Sequence, residues 1–215
     1  MALVTDRVVA FGDGYGADAI PPAREDPAVA TTADAPDVVS LLEEQHQQIR
    51  ALFAAVRTTS GTEQQDNFER LRRLLAVHET AEELITHPWV RMSEGGNDVV
   101  DARLEEETES KKLLAQLDGM AVDDPGFAPG LAALEQAVLA HADAEEREEF
   151  PLLRADTDPQ QLQRMATAVK VASALAPTHP HPWVGSSMTT NLMAGPIASL
   201  VDRTRDAVTE VLKRT

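Results

Sequence analysis

His78-Glu79-Thr80-Ala81-Glu82-Glu83, with Pro88 ten residues after its histidine, and His141-Ala142-Asp143-Ala144-Glu145-Glu146, with Pro151 at the same distance, are two copies of one pattern, H-x-x-A-E-E-x4-P. The likeness extends upstream. Leu42-Glu43-Glu44-Gln45-His46 lies 32 residues before His78 (counting between the histidines), and Leu104-Glu105-Glu106-Glu107-Thr108 places Thr108 33 residues before His141. The chain therefore contains two helical hairpins of one design, and Thr108 stands where the repeat calls for a second His46.

Working outward, the apolar period is helical. Leu42, His46, Ile49, Phe53 and Val56 recur at 4-3-4-3 spacing, which predicts a helix over about 37–58, started by Asp34 and Pro36. Further helices are predicted over about 63–87, 98–118 and 129–150, ended by Pro88, Asp118-Gly119 and Pro151. Glu94-Gly95-Gly96-Asn97 and Asp123-Asp124-Pro125-Gly126 read as loops. Strand signals are almost absent. The expected fold is all-α, an up-and-down antiparallel four-helix bundle over 37–154. An extension rich in Gly, Ala, Asp and Pro precedes it (1–36). A tail (155–215) follows, with two more helices started by Pro159 and Pro196, wrapping on the bundle.

The chain has 215 residues, a formal net charge of −17 and no cysteine. A surface of that sign repels phosphate backbones and anionic membranes, so nucleic acid and membrane are not expected partners. Without thiols there is no disulfide, Fe–S cluster or thiolate metal site, and metal chemistry must use His, carboxylates, Tyr or water. No basic leader with an apolar core and no spanning run is visible, so the expected location is the cytoplasm.

A histidine and a glutamate four residues apart share one helix face. Here that face is the apolar one: Leu71, Leu74, His78, Glu82 and Ile85 form one stripe, and Leu131, Leu134, Val138, His141 and Glu145 form the other. A lone inward histidine such as His46 is more often a hydrogen-bonded core residue. Matched copies change the balance. Two carboxylates in a low-dielectric core repel each other, and no buried Lys or Arg pattern answers them, so the economical neutraliser is a pair of metal ions. Imidazole with carboxylate suits iron, manganese or zinc, and a carboxylate from each of two helices can bridge two ions.

These residues resemble the hemerythrin family, specifically bacterial HHE cation-binding proteins, over about 37–154. The tail, with Pro177-Thr178-His179-Pro180-His181-Pro182, is similar to that of actinobacterial hemerythrin-like proteins. The resemblance implies a non-haem diiron centre that binds or reacts with O2, peroxide or nitric oxide. It carries the ligand roles onto His46, His78, Glu82, His141 and Glu145, with Glu82 and Glu145 bridging and Glu79 as an extra carboxylate. The family's histidine on the third helix corresponds to Thr108. Glu107 or another carboxylate substitutes there, or the position stays open to water or substrate, or the second metal binds weakly. An open position would favour reaction over reversible carriage, and would suit an oxidase or oxygenase taking a small organic substrate near Thr108. A metal-poor structural or regulatory bundle is the alternative from another class.

Other residues receive blander readings. His87, nine residues after His78 and half a turn round, is expected at the surface, and Lys111 as an exposed stem. In Glu145–Glu149 only Glu145 and Glu149 face inward. His179 and His181 with Trp183 are expected to dock the tail over the bundle, with lining of the site entrance as the alternative, and Tyr15 belongs to the extension.

Overall fold

The computed structural model describes residues 36–175 and 209–213, and among them there is no strand. Helix α1 (Val38–Thr58) begins at Asp37, whose carboxylate accepts a hydrogen bond from the Ser40 amide at 2.7 Å. Helix α2 (Gly61–Ala81) runs antiparallel to α1, then widens into a π-helical turn (Glu82–Thr86) and resumes as α3 (His87–Val90). The second hairpin repeats the device. Helix α4 (Gly96–Leu117) leads to α5 (Phe127–Ala144), a second π turn (Glu145–Glu149) and α6 (Phe150–Asp156). Helix α7 (Pro159–Leu175) closes the described bundle.

The two prolines do not end their helices as the sequence predicts. In each copy an i→i+5 bond closes the π turn: the His87 amide donates to the Glu82 carbonyl, and the Phe150 amide to the Glu145 carbonyl. Pro88 and Pro151 follow at once in the first turn of α3 and α6, where a missing N–H costs nothing, so the rod continues for several residues.

The chain reverses between the hairpins at Gly95-Gly96. Gly95 has φ +75°, and a Cβ on Gly96 would lie 1.8 Å from the Val90 carbonyl oxygen, so neither place accepts another residue without rearrangement.

Two apolar layers fill the bundle. One gathers Ile49, Phe53, Phe68, Leu71, Leu114, Phe127 and Leu134 from the four long helices. The other gathers Val39, Leu42, Ile85, Val100 and Phe150, with Met165 and Val169 of α7 lying over them. His46, His78, Glu82, Glu107, His141 and Glu145 occupy sequence positions between these layers, and all are buried. No described helix is long and apolar enough to cross a membrane. The extension with Tyr15, the His179, His181 and Trp183 segment, and most of the helix expected from Pro196 lie outside the described residues.

Candidate metal centre

Between the apolar layers, four helical rods bring imidazole and carboxylate together. Three groups of side chains each place one ligand atom per residue within 4.8 Å of the others: His46, His78, Glu82 and Glu145; Glu82, Glu107 and His141; and His87, Glu145 and Glu149. Glu82 and Glu145 each belong to two groups. Each is also the first residue of a π turn, which sets its carboxylate at the level where the groups meet.

The histidines are aimed by a second layer of partners. The Nδ1 of His46 lies 2.8 Å from Glu146, that of His78 2.8 Å from Gln45 Oε1, and that of His141 3.0 Å from Glu106. Arg50 and Arg103 in turn hold Glu146 and Glu106. With Nδ1 engaged outward, each Nε2 faces the centre, the arrangement by which metal-binding imidazoles are oriented. His46 Nε2 and His78 Nε2 are 3.2 Å apart. Two bare lone pairs at that distance repel. Two ligand atoms each about 2.1 Å from one ion lie roughly 3 Å apart, so a shared cation turns the repulsion into coordination.

The carboxylates tell the same story. Both oxygens of Glu82, Glu145 and Glu149, Glu107 Oε1, His141 Nε2 and both ring nitrogens of His87 are buried with no hydrogen-bond partner. Orphaned buried polar atoms are rare in native proteins, and here they converge on one place. Glu145 lies 3.2 Å from His46 Nε2 and 3.1 Å from His141 Nε2, and Glu82 lies 3.3 Å from His78 Nε2, close approaches that lack hydrogen-bond alignment. The donor set is hard oxygen plus imidazole, which fits iron, manganese or zinc.

The metal-free electrostatics are strained in consequence. Burial, with Glu145 and Glu107 nearby, pushes the Glu82 carboxyl well above its ordinary range. Burial raises Glu107 well above it too, and lifts Glu149 to about 8. Burial drives His78 down to about 3 and His87 to about 4. One pair runs the other way: burial opposes it, but Glu145 holds His141 well above its usual value, while His141 keeps Glu145 well below its own. That pair is balanced without a metal ion.

Several sequence expectations change here. Thr108 is not turned to the centre; its hydroxyl donates to the Leu104 carbonyl of its own helix at 2.8 Å. Its neighbour Glu107, fully buried, is the residue that α4 presents. Glu79 is buried but outside the three groups, with burial lifting its carboxyl to about 7 and Lys111 3.5 Å away. Lys111 is not an exposed stem. Its ammonium sits 2.5 Å from Glu83 and 2.9 Å from Glu107. Burial alone would lower it, yet Glu79, Glu107 and Glu83 together hold its pKa above the ordinary lysine value. Buried Arg103, 4% exposed, and half-buried Lys111 supply the cations that the sequence did not reveal. His87 is not at the surface: it is 3% exposed, with Nε2 3.6 Å from both Glu107 and Glu149. The α-helical count that put it half a turn from His78 fails at the π turn. That turn spends one extra residue, leaving His87 roughly 80° round instead. The recurrence of proline ten residues after each histidine was the one available sign of the turn.

Comparison with known proteins shows the family. The model of the hemerythrin HHE cation binding domain matches residues 37–153. An uncharacterized hemerythrin-like protein of Schizosaccharomyces pombe is 26% identical over 134 residues, covering 61% of this chain and 66% of that one. A DNA nickase of Nostoc sp. is 25% identical over 174 residues, covering 80% of this chain and 46% of its own. The chain thus spans less than two thirds of the length of either relative. A crystal structure of a hemerythrin HHE cation binding domain-containing protein from Mycobacterium kansasii superposes with a TM-score of 0.58 at 18% identity, covering 65% of this chain and 86% of that one. At that identity the likeness is one of fold.

Proposed function

Because the chain belongs to the hemerythrin HHE cation-binding domain family, we propose that it is a non-haem diiron protein that binds or turns over O2, peroxide or nitric oxide. His46 and His78 would hold one ion and His141 and Glu107 the other, with Glu82 and Glu145 within reach of both sets. The observation that carries this reading is the convergence of unpartnered buried carboxylate oxygens and imidazole nitrogens between two apolar layers. Nothing but cations makes such a set tolerable in a dry core. When bound, the iron pair supplies one-electron redox chemistry toward a small oxidant.

The chain's own residues determine what else happens there. The Nδ1 partners Glu146, Gln45 and Glu106 fix the imidazoles. The apolar layers exclude bulk water. Lys111 brings a charged proton donor to Glu107 at 2.9 Å. A reversible carrier keeps protons away from the bound gas. A half-buried ammonium hydrogen-bonded to a ligand carboxylate supports reaction over carriage, in which the centre consumes its oxidant. The net charge of −17 sets this chain against a phosphate backbone, so the activity named for the Nostoc relative is not carried over.

The test is iron titration of the metal-free protein under argon, followed by exposure to O2, peroxide and nitric oxide with the absorption spectrum recorded. Irreversible oxidation of the ferrous form at more than one equivalent of oxidant per chain supports turnover. Stable, reversible oxygenation would replace it with carriage, and absence of iron uptake would overturn the whole reading.

A further inference from the structure

The two hairpins are related position by position, and the exceptions to that relation come as a pair. His46 on α1 packs against Phe150, the first residue after the second π turn, with ring centroids 5.6 Å apart and planes 13° from parallel. In the other half the buried side chain of α4 is Glu107, one residue before the sequence equivalent Thr108, and the first residue after the first π turn is His87. His87 Nε2 stands 3.6 Å from Glu107 Oε1. Where one half has an imidazole backed by an inert ring, the other has a carboxylate backed by an imidazole. The histidine missing from α4 has an equivalent across the helix contact.

We propose that His87 is a metal ligand, supplying the second ion with the imidazole that α4 does not provide, and that Glu149 completes that ion's set beside Glu107 and His141. This rests on the diiron reading above and extends it to two residues outside the ligand set that the family resemblance implies. His87 and Glu149 are almost fully buried, and none of their side-chain nitrogens and oxygens has a hydrogen-bond partner. Their tips meet at 3.6 Å, and both lie within reach of Glu145, which also touches His141. His87 differs from the other three inward histidines in lacking an Nδ1 partner, so nothing except the centre accounts for its burial. The first π turn is the cause for His87: it spends one extra residue and brings position 87 round to the inward face, while Glu149, one turn after Glu145, already lies on that face.

The experiment uses the full-length chain, loaded with cobalt(II) and compared with His87→Phe, which copies the ring at position 150, and His87→Gln. Metal retained per chain is measured after desalting, and the exchangeable imidazole N–H signals shifted by cobalt are counted by proton NMR. The expected result is two ions and four such signals in the wild type, from His46, His78, His87 and His141. Either variant should lose one signal and bind the second ion at least tenfold more weakly, with the first ion's affinity within twofold of wild type. Three signals in the wild type, or a folded variant that keeps both ions at wild-type affinity, overturns the assignment of His87 alone. If neither variant folds, the wild-type signal count decides. Absence of cobalt uptake by the wild type overturns this proposal together with the diiron reading beneath it.

Discussion

Removing the metal should leave a protein whose stability falls at alkaline pH, and the structure gives the size of the fall. Burial places Glu149 at about 8 and Glu79 at about 7, against 4.5 for a free carboxyl. A group whose folded pKa is raised gives stability that is complete below the unfolded value and is lost as pH rises through the folded one. His78 and His87, pushed down by burial to about 3 and about 4, do the reverse: their contribution is complete above 6.5 and is lost as pH falls toward the folded values. Between roughly pH 4.5 and 6.5 the two pairs offset each other. Above pH 6.5 His78 and His87 no longer offset the carboxyls, and Glu149 loses stability through about one and a half further decades of proton affinity and Glu79 through about half of one, with His141, held above its ordinary value, losing stability in the same direction. At about 1.4 kcal/mol per decade the loss is on the order of 3 kcal/mol by pH 8.5. For a chain of this size that is roughly 10 °C in unfolding temperature. Glu82 and Glu107, raised in the same direction, add to it. Thermal unfolding followed by circular dichroism, with metal-free and cobalt(II)-loaded protein at pH 6.5 and 8.5, measures both limbs. The loaded protein should lose less than a third as much, because the ions take the place of the protons. Equal unfolding temperatures for the metal-free protein at the two pH values would refute the reasoning, as would the same decline with metal bound.

Glu82→Gln keeps the side-chain volume but removes a buried carboxyl that must take up a proton to be tolerated without metal and whose two oxygens are unpartnered. It should stabilise the metal-free protein at neutral pH by about 1–3 kcal/mol in urea unfolding while sharply reducing metal uptake; a destabilised variant that still binds would contradict the role given to this residue. Because Thr108 bonds back to Leu104 and Glu107 faces inward, Thr108→His should leave the binding isotherm unchanged, whereas Glu107→Ala should weaken the second ion at least tenfold. The opposite order would put the register of α4 one residue away. Lys111→Met strips the partner from Glu79, Glu83 and Glu107. The expected cost is about 3 kcal/mol in the metal-free protein, most of it recovered in Lys111→Met/Glu107→Gln; a neutral single variant would mean the cluster is solvated.

The bundle was legible because its period never wavers. Leu42 to Val56 and Leu131 to Val138 repeat at helical spacing, and two matched H-x-x-x-E copies announce that the polar residues share the apolar face. His46, His78, Glu82, His141 and Glu145 were found by that argument, and the structure brings them together. What the sequence hid follows from two physical features. A π turn has no composition of its own, so counting at 100° per residue sent His87 to the wrong side and ended two helices at prolines that the turn accommodates. The α4 register is the other. Glu105-Glu106-Glu107-Thr108 offers four polar residues in a row; the repeat points to Thr108, 33 residues before His141, whereas the buried residue, Glu107, lies 34 before it. Helix pairing selects Glu107, leaving Glu106 to hold His141 Nδ1 from outside. Lys111 was missed because a lysine among glutamates reads as a solvated face until the partners on α2 are known.

Metal content of the purified chain bears most directly on the claim that buried imidazoles and carboxylates exist here to hold cations. Protein produced with ample iron, desalted and analysed by mass spectrometry, should retain about two irons per chain. It should lose them in Glu145→Ala, whose carboxylate serves two of the three groups, but not in Asp143→Ala, whose side chain is exposed. A chain that retains no iron, or retains it equally in both variants, contradicts the account.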